Sequence, residues 1–372
     1  MKINALITVL DSLNQTTMPY NEFILYRSKH YPEEQQIVLL TGNEVTIPTS
    51  EIPKDLIIYK AGKNPIKIRR ALKKIKNYCA QNNLKWVLHL HSIRGSFSTL
   101  LALPGVMGYS STIYTIHSTF TGYRLHNKIL SFIDALFSNY VTCVSNTSYE
   151  KFPNIVKRIK CERICALQNG VNIERVENDI KGVYVEKTNN SVNLVYIARM
   201  VALKNHLFLV DVLSRLHTHG VNNIKFIFIG EEEDAGKTRA YANQKGVSDY
   251  IQFTGLIPRS EVYKILVNSD VYISSSTLEG LPVSVLEGMF CGLPAILSDI
   301  PQHREVAKGC DDVAIVPFDI ESWCNKIIEF ADLKPDERKM MGIKCQQYVR
   351  DNFSLESMHK SYDKIYNAIR NC

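Results

Sequence analysis

The stretch Leu278–Asp299, LEGLPVSVLEGMFCGLPAILSD, sets two glutamates, Glu279 and Glu287, on either side of seven mostly apolar residues. Carboxylates rarely sit beside so much apolar sequence without partners. The preceding DVYISSS reads as a buried strand ending near Ser275. Thr277–Leu281 is then the loop at its carboxyl end, and Pro282 suits the first position of a helix, where no N–H is needed. The helix PVSVLEGMFCG runs to Gly292, a C-terminal cap with Pro294 beyond it. Glu279 therefore falls on the loop and Glu287 in the second helical turn. Between them lies a helix N-terminus, whose unpaired N–H groups favour an anion. Gly280 lets backbone come close to a ligand. A sugar nucleotide needs both features: its diphosphate takes N–H donors, and its ribose and hexose take carboxylates. The plainer reading makes Glu287 a solvated helix residue and Glu279 a loop charge.

Upstream, YIARMVALKNH places Arg199 at the end of a strand and Lys204 at the start of the next helix. Two cations at one carboxyl edge can neutralise a departing diphosphate without a metal. Surface charges on a capped loop are the plainer alternative.

The same alternation of strand and helix extends through the chain. INALITVL, QQIVLLTG, LIIYKA, WVLHLH, STIYTIH and YVTCVS are strand-like in the first half. NLVYIAR, IKFIFIG, YIQFTG, DVYISSS, AILSD and VAIVP follow in the second. Two such series predict two doubly wound α/β domains, with ligands at the carboxyl ends of the strands. The boundaries read as 1–172 and 193–352, joined by a polar linker at 173–192 with room for a short strand at Gly182–Glu186. A last helix, 353–372, opens with Ser354 as N-cap. It packs on its own domain or crosses back to the first.

The 372 residues are long for one core and comfortable for two. No apolar run approaches the roughly 20 residues of a membrane helix. The opening MKINALITVL lacks a secretory cleavage pattern and reads as a first buried strand. Nine cysteines form no CxxC pair, and Cys161 and Cys165 have no matching second pair, so a reducing cytosol fits best. His217 and His219 have a metal-like spacing but no third ligand in view, and read as helix-end residues. The net charge of +7 suits phosphates, membrane lipid or nucleic acid. Interleaved basic and aromatic clusters are lacking, which argues against nucleic acid. The most charged stretch, KNPIKIRRALKKIKNYCAQN, reads as a helix from Pro65 with Ile68, Leu72, Ile75 and Cys79 on one face. Lys67, Arg70, Lys73 and Lys74 lie elsewhere. They form a solvated face, or one that meets an anionic bilayer.

ARMVALKNH, FIGEEE, IQFTGLIP and SSSTLEGLPVSVLEGMFCGLPAILSD, in that order, resemble the retaining glycosyltransferase family 4 over residues 193–352, with its E-x7-E element. IPQHREV resembles the following family segment, with Glu305 at the acidic position, and LQNGVN (Gln168–Asn172) the turn that ends the first domain. The resemblance implies a GT-B fold: two Rossmann-like domains facing across a cleft, acceptor-binding first and nucleotide-sugar-binding second. It implies that Arg199 and Lys204 grip the donor diphosphate, Glu287 binds the ribose, and Glu279 touches hexose hydroxyls. Gly280, Leu281 and Pro282 would present backbone to sugar and phosphate, with Gly255 and Leu256 near the base. His117, ending YTIHSTF, is the family's candidate to face the reacting sugar, and His91 ends another strand. The family's glycine-rich first loop is here LDSLNQTTMPYNEF, without glycine, where Ser12, Asn14 and Thr16 are the polar substitutes. GEEEDAG likewise departs from a glycine-rich turn.

The implied reaction moves a hexose or N-acetylhexosamine from a nucleotide-diphosphate sugar, a UDP-sugar first, to a hydroxyl of a glycan or lipid-linked acceptor. Configuration is retained by front-face attack, since no carboxylate nucleophile stands out in the first half. No D-x-D follows a strand, so neither metal nor cofactor is expected. The family setting is bacterial surface polysaccharide synthesis (capsule, O-antigen or exopolysaccharide), in the cytoplasm or at the inner face of the plasma membrane. The competing readings are a sugar-nucleotide epimerase or phosphorylase on the same frame, and a non-enzymatic basic binding protein.

Overall fold

A computed structural model describes residues 4–13, 18–42, 45–46, 52–183 and 191–371. It divides into two compact units, Met1–Asn169 with Leu355–Cys372, and Gly170–Ser354. The first unit runs β1 (Asn4–Leu10), α1 (Met18–His30), β2 (Glu34–Leu40), β3 (Ile57–Lys60), α2 (Pro65–Gln81), β4 (Lys85–Leu90), α3 (Ile93–Ala102), β5 (Thr112–Ile116), α4 (Leu125–Phe137), β6 (Tyr140–Cys143), α5 (Asn146–Glu150), α6 (Asn154–Lys160) and β7 (Ile164–Ala166). Its sheet is parallel, in the order β3-β2-β1-β4-β5-β6-β7. Strand order reverses between β1 and β4, which makes that carboxyl edge the ligand-prone one. The sequence suggests six strands here. The seventh, β7, has three residues at the sheet edge, too few to show a period of two.

Central strands β1 and β2 are buried on both faces, as a parallel sheet covered by helices requires. On α2, Ile68, Ala71, Leu72, Ile75 and Cys79 face the sheet, while Lys67, Arg70, Lys73 and Lys74 are exposed. Asn64 caps this helix, its Oδ1 accepting from Ile66 N at 2.9 Å, and Pro65 takes the first position.

The second unit runs α7 (Ile173–Ile180), β8 (Val192–Ile197), α8 (His206–Thr218), β9 (Ile224–Ile229), α9 (Lys237–Gln244), β10 (Ile251–Gly255), α10 (Arg259–Val267), β11 (Val271–Ser274), α11 (Val283–Phe290), β12 (Ala295–Ser298), α12 (Pro301–Ala307), β13 (Val313–Val316), α13 (Ile320–Asp332) and α14 (Pro335–Asn352). Its sheet is parallel too, β10-β9-β8-β11-β12-β13, and reverses between β8 and β11. Gly292 ends the α11 segment at φ +85°, the left-handed conformation a helix C-terminus favours in glycine. At Gly342 on α14, a Cβ would come within 1.8 Å of the Gly292 carbonyl oxygen, so only glycine lets α14 close on that turn.

Two boundaries differ from the sequence reading. The division falls at Asn169 and Gly170, and Ile173–Ile180 is helical rather than linker. Asn172 caps α7 by accepting from Arg175 N at 3.1 Å, and α7 packs on α10. Ile173, Val176 and Ile180 give this polar segment a short apolar stripe. Residues 184–190, and with them most of the strand considered at 182–186, lie outside the described residues.

The last helix, α15 (Leu355–Arg370), belongs to the first unit. Leu355, Met358, Tyr362, Tyr366 and Ile369 enter its core at helical spacing. Tyr366 Oη meets His89 Nδ1 at 2.7 Å, and Tyr362 Oη lies 3.2 Å from Thr115 Oγ1. Glu34, 3% exposed, accepts from Arg27 at 2.7 Å and from Arg370 at 2.5 Å. Arg27 also bonds Asp363 at 2.8 Å. A buried charge at this site is therefore paired from both sides.

Candidate functional site

At the reversal between β8 and β11, two loops are stitched together. The loop after β8 turns through Ala202–Lys204 and reaches Asn205 in the left-handed region, φ +55°, before α8 begins. The loop after β11 supplies the donors. Ser275 Oγ donates to the carbonyls of Lys204 and Asn205, each at 3.0 Å, and Thr277 N donates to Leu203 at 2.8 Å. Tyr196 Oη also reaches the Lys204 carbonyl at 3.0 Å and Ser276 Oγ at 2.7 Å. The Ser275 and Tyr196 hydroxyls thus hold the Lys204 carbonyl, while its ammonium pairs with Glu279 at 2.5 Å. Both partners of that pair are largely shielded, unlike ordinary surface ion pairs.

Arg199 leaves the end of β8 in a different direction. Its guanidinium, 60% exposed, bonds Glu233 of the GEEEDAG loop at 2.7 Å. The structure therefore brings Lys204 to Glu279 and gives Arg199 a separate carboxylate. Exposed pairs of this kind contribute about 0–1 kcal/mol, so an incoming dianion can exchange with Glu233.

Pro282 stands one residue ahead of its expected helical position, as the N-cap of α11, and its carbonyl accepts from Val285 N at 3.0 Å. Leu281 is buried beside it. Glu287, 8% exposed, accepts from Arg259 Nη2 at 2.5 Å and Tyr263 Oη at 3.0 Å. It is therefore no solvated helix residue. Gly255 closes β10, with its carbonyl bonded by Gly230 N at 3.0 Å, and Leu256 beyond it is exposed.

Beneath the loops, His303 of α12 is fully buried. Its Nδ1 lies 2.9 Å from the Ser298 carbonyl, which can only accept, so Nδ1 carries the proton. Burial holds its pKa down to about 4, and the ring is a neutral spacer between β11 and β12. Glu305, two residues on, is half-buried.

In the first unit, His91 and His117 follow adjacent strands β4 and β5, and their Nδ1 and Nε2 lie 3.0 Å apart. Burial depresses both, His91 to about 3. At the reversal between β1 and β4, Asp11 Oδ1 accepts from Thr41 Oγ1 at 2.7 Å and Ser92 Oγ at 3.0 Å. Asn14 and Thr16 lie outside the described residues, and Ser12 is half-buried. His217 is a packing residue, its ring edge-on to Tyr250 at 3.8 Å.

Sequence reading missed Arg259, Tyr263, Glu233 and Asp11. Only the first two left a trace: in PRSEVYKI their spacing of four puts them on one helical face.

Two parallel α/β units, each with its loops gathered at a strand-order reversal, define the GT-B fold. Residues 180–347, most of the second unit, match the family model described as Glycosyl transferases group 1. The chain is 23% identical over 335 residues to the UDP-Gal:alpha-D-GlcNAc-diphosphoundecaprenol alpha-1,3-galactosyltransferase of Escherichia coli, covering 86% of this chain and 81% of that one. It is 29% identical over 210 residues to the capsular polysaccharide biosynthesis glycosyltransferase CapH of Staphylococcus aureus, 55% of each chain. Among solved structures, Anabaena HepE in complex with UDP and glucose aligns at a TM-score of 0.78, with 13% identity over 98% of this chain and 99% of that one. That last likeness is one of fold.

Proposed function

We propose that the protein transfers a hexose or N-acetylhexosamine, with retention, from a nucleoside-diphosphate sugar to a hydroxyl of a glycan or lipid-linked acceptor. The observation that carries this is the placing of Lys204, Glu279 and Glu287 around one loop and helix start at the β8–β11 reversal. Lys204 and Arg199 take the diphosphate, Glu287 the ribose and Glu279 the hexose. Gly280, Leu281 and Pro282 line the sugar and phosphate, and Gly255 and Leu256 the base. The bond from the anomeric carbon to the phosphate oxygen breaks as the acceptor oxygen attacks the same face. The acceptor's proton passes to the departing phosphate oxygen, and Lys204 and Arg199 stabilise the charge that grows there. His117, neutral at physiological pH, offers a hydrogen bond to the donor sugar from its own strand end. No metal is assigned a step. UDP is the favoured nucleotide and surface polysaccharide the favoured product class. The named activities of the Escherichia coli and Staphylococcus aureus relatives and the UDP in HepE support both.

An anionic membrane surface is the second part of the proposal. No helix among the described residues is long and apolar enough to cross a membrane. On the first unit, α2, α3, α4 and α6 pack in succession, and Ile66, Leu125, Ile129 and Ile155 stand exposed on them. Lys67, Arg70, Lys73 and Lys74 lie exposed on α2. Basic charge beside exposed apolar side chains suits the headgroup region of a bilayer.

The test is thermal stabilisation of the purified protein by a panel of nucleotide sugars, followed by transfer assays with the best ligand. Saturation at 100 times the dissociation constant adds about 2.7 kcal/mol. A panel without any stabilising member sinks the reading. Transfer that persists in chelator supports the metal-free mechanism, and its loss removes that part.

A further inference from the structure

Glu287 is held in a way the proposed reaction leaves unexplained. A carboxylate 8% exposed on an apolar helix needs partners, and α10 supplies two from successive turns. Arg259 Nη2 donates at 2.5 Å and Tyr263 Oη at 3.0 Å, and both land on Oε1. Oε2 is the oxygen these two donors leave for a ligand hydroxyl. Tyr263 is 1% exposed, and the Arg259 guanidinium lies 5.8 Å from its ring centroid. Arg175 of α7 lies close enough to act on Arg259, Tyr263 and Glu287 electrostatically. The Glu287 charge also helps keep Tyr263 protonated, and so a donor.

We infer that Arg259 and Tyr263 are positioning residues that clamp Oε1 of Glu287, so that Oε2 is presented to a ribose hydroxyl of the donor nucleotide. The inference rests on the ribose role proposed for Glu287. Two donors from one face of α10 fix the plane of the carboxylate, which a single contact leaves free to rotate. The clamp would make the site select ribonucleotides over deoxyribonucleotides, because a missing hydroxyl leaves a buried, oriented carboxylate without its partner.

Titration calorimetry reads this, with whichever of UDP, GDP and ADP binds tightest and with its 2′-deoxy counterpart. The unaltered protein should prefer the ribonucleotide by roughly 10-fold. Glu287→Ala should erase the preference. Tyr263→Phe, which removes one hydroxyl from a buried ring, and Arg259→Met should cut it to roughly 3-fold or less by weakening only the ribonucleotide. Arg259→Lys, which keeps the charge and loses the fork, should fall between. A merely structural role would weaken both nucleotides equally, and that outcome overturns the inference. So does full preference in Tyr263→Phe and Arg259→Met when Glu287→Ala has lost it, a result that leaves the ribose role standing. Preference retained in Glu287→Ala removes the ribose role itself, and the clamp with it.

Discussion

His91 Nδ1 and His117 Nε2 face each other at 3.0 Å across the ends of β4 and β5, so one ring donates and the other accepts. At least one ring of the pair is therefore neutral, since two imidazolium rings would both be donors. His89 and His359 are buried nearby, with His89 and His91 ring centroids 3.8 Å apart and His359 stacked on Tyr26. Burial lowers the pKa of all four rings.

That burial fixes the sign of the pH dependence. Above the unfolded value of about 6.5 these histidines are neutral in both states and contribute nothing to it. Below that value the unfolded chain takes up protons that the native one refuses. Stability should therefore fall as pH drops from about 6.5 toward the native values, about 3 for His91, by about 1.4 kcal/mol per pH unit per histidine. His359→Leu should flatten the slope of Tm against pH between neutrality and pH 5. An unchanged slope would exclude His359 from the effect.

Lys204→Ala and Glu279→Ala should each lower turnover by roughly 100-fold or more, the range for losing one preorganised contact to developing charge. Arg199→Ala should cost less, because its side chain is exposed and already shared with Glu233. Initial rates at saturating donor check both. Near-normal turnover in Lys204→Ala would remove the diphosphate assignment.

Arg27→Met leaves Glu34 buried with Arg370 as its paired cation and Gln36 Nε2 as a neutral donor at 2.7 Å. Breaking one side of a buried pair costs about 3–5 kcal/mol, and the urea midpoint should shift accordingly. A shift of a few tenths would mean that Arg370 suffices.

Gly342→Ala pushes a methyl into the Gly292 carbonyl. Overpacking against backbone costs about 1–3 kcal/mol, against the roughly 0.4–1 kcal/mol that Gly→Ala gains at a compatible site. Chemical denaturation of the variant gives the sign directly.

Flotation with liposomes containing anionic lipid should carry the protein at low salt, and the joint Lys67→Ala, Arg70→Ala, Lys73→Ala and Lys74→Ala variant should stay behind. Each basic side chain near the surface contributes about 1 kcal/mol. Binding equal in the variant would place the contact elsewhere.

The strand–helix alternation was legible because buried parallel strands are long apolar runs. All six strands of the second sheet coincide with such runs, and only β7, three residues long, escaped in the first. The loop carrying Glu279 and the helix carrying Glu287 could be placed because proline and glycine punctuate both ends. The partners could not. Arg259 lies 28 residues before Glu287, and Glu233 lies 34 beyond Arg199. Such pairings depend on which strand lies beside which, and apolar periodicity carries no information about that order. The segment read as linker was misjudged for a simpler reason: eight residues of α7 hold too few apolar positions to stand out among polar neighbours.

The first unit is written in two places along the gene product, its sheet early and its closing helix, α15, at the far end. A ribosome therefore releases every strand of that sheet before it makes Tyr362 or Tyr366. Until they arrive, His89 and Thr115 lack the phenols that meet them in the finished protein. The second unit, being continuous, can close during synthesis. The first unit can close only after the second has been made, because its last helix is encoded behind it.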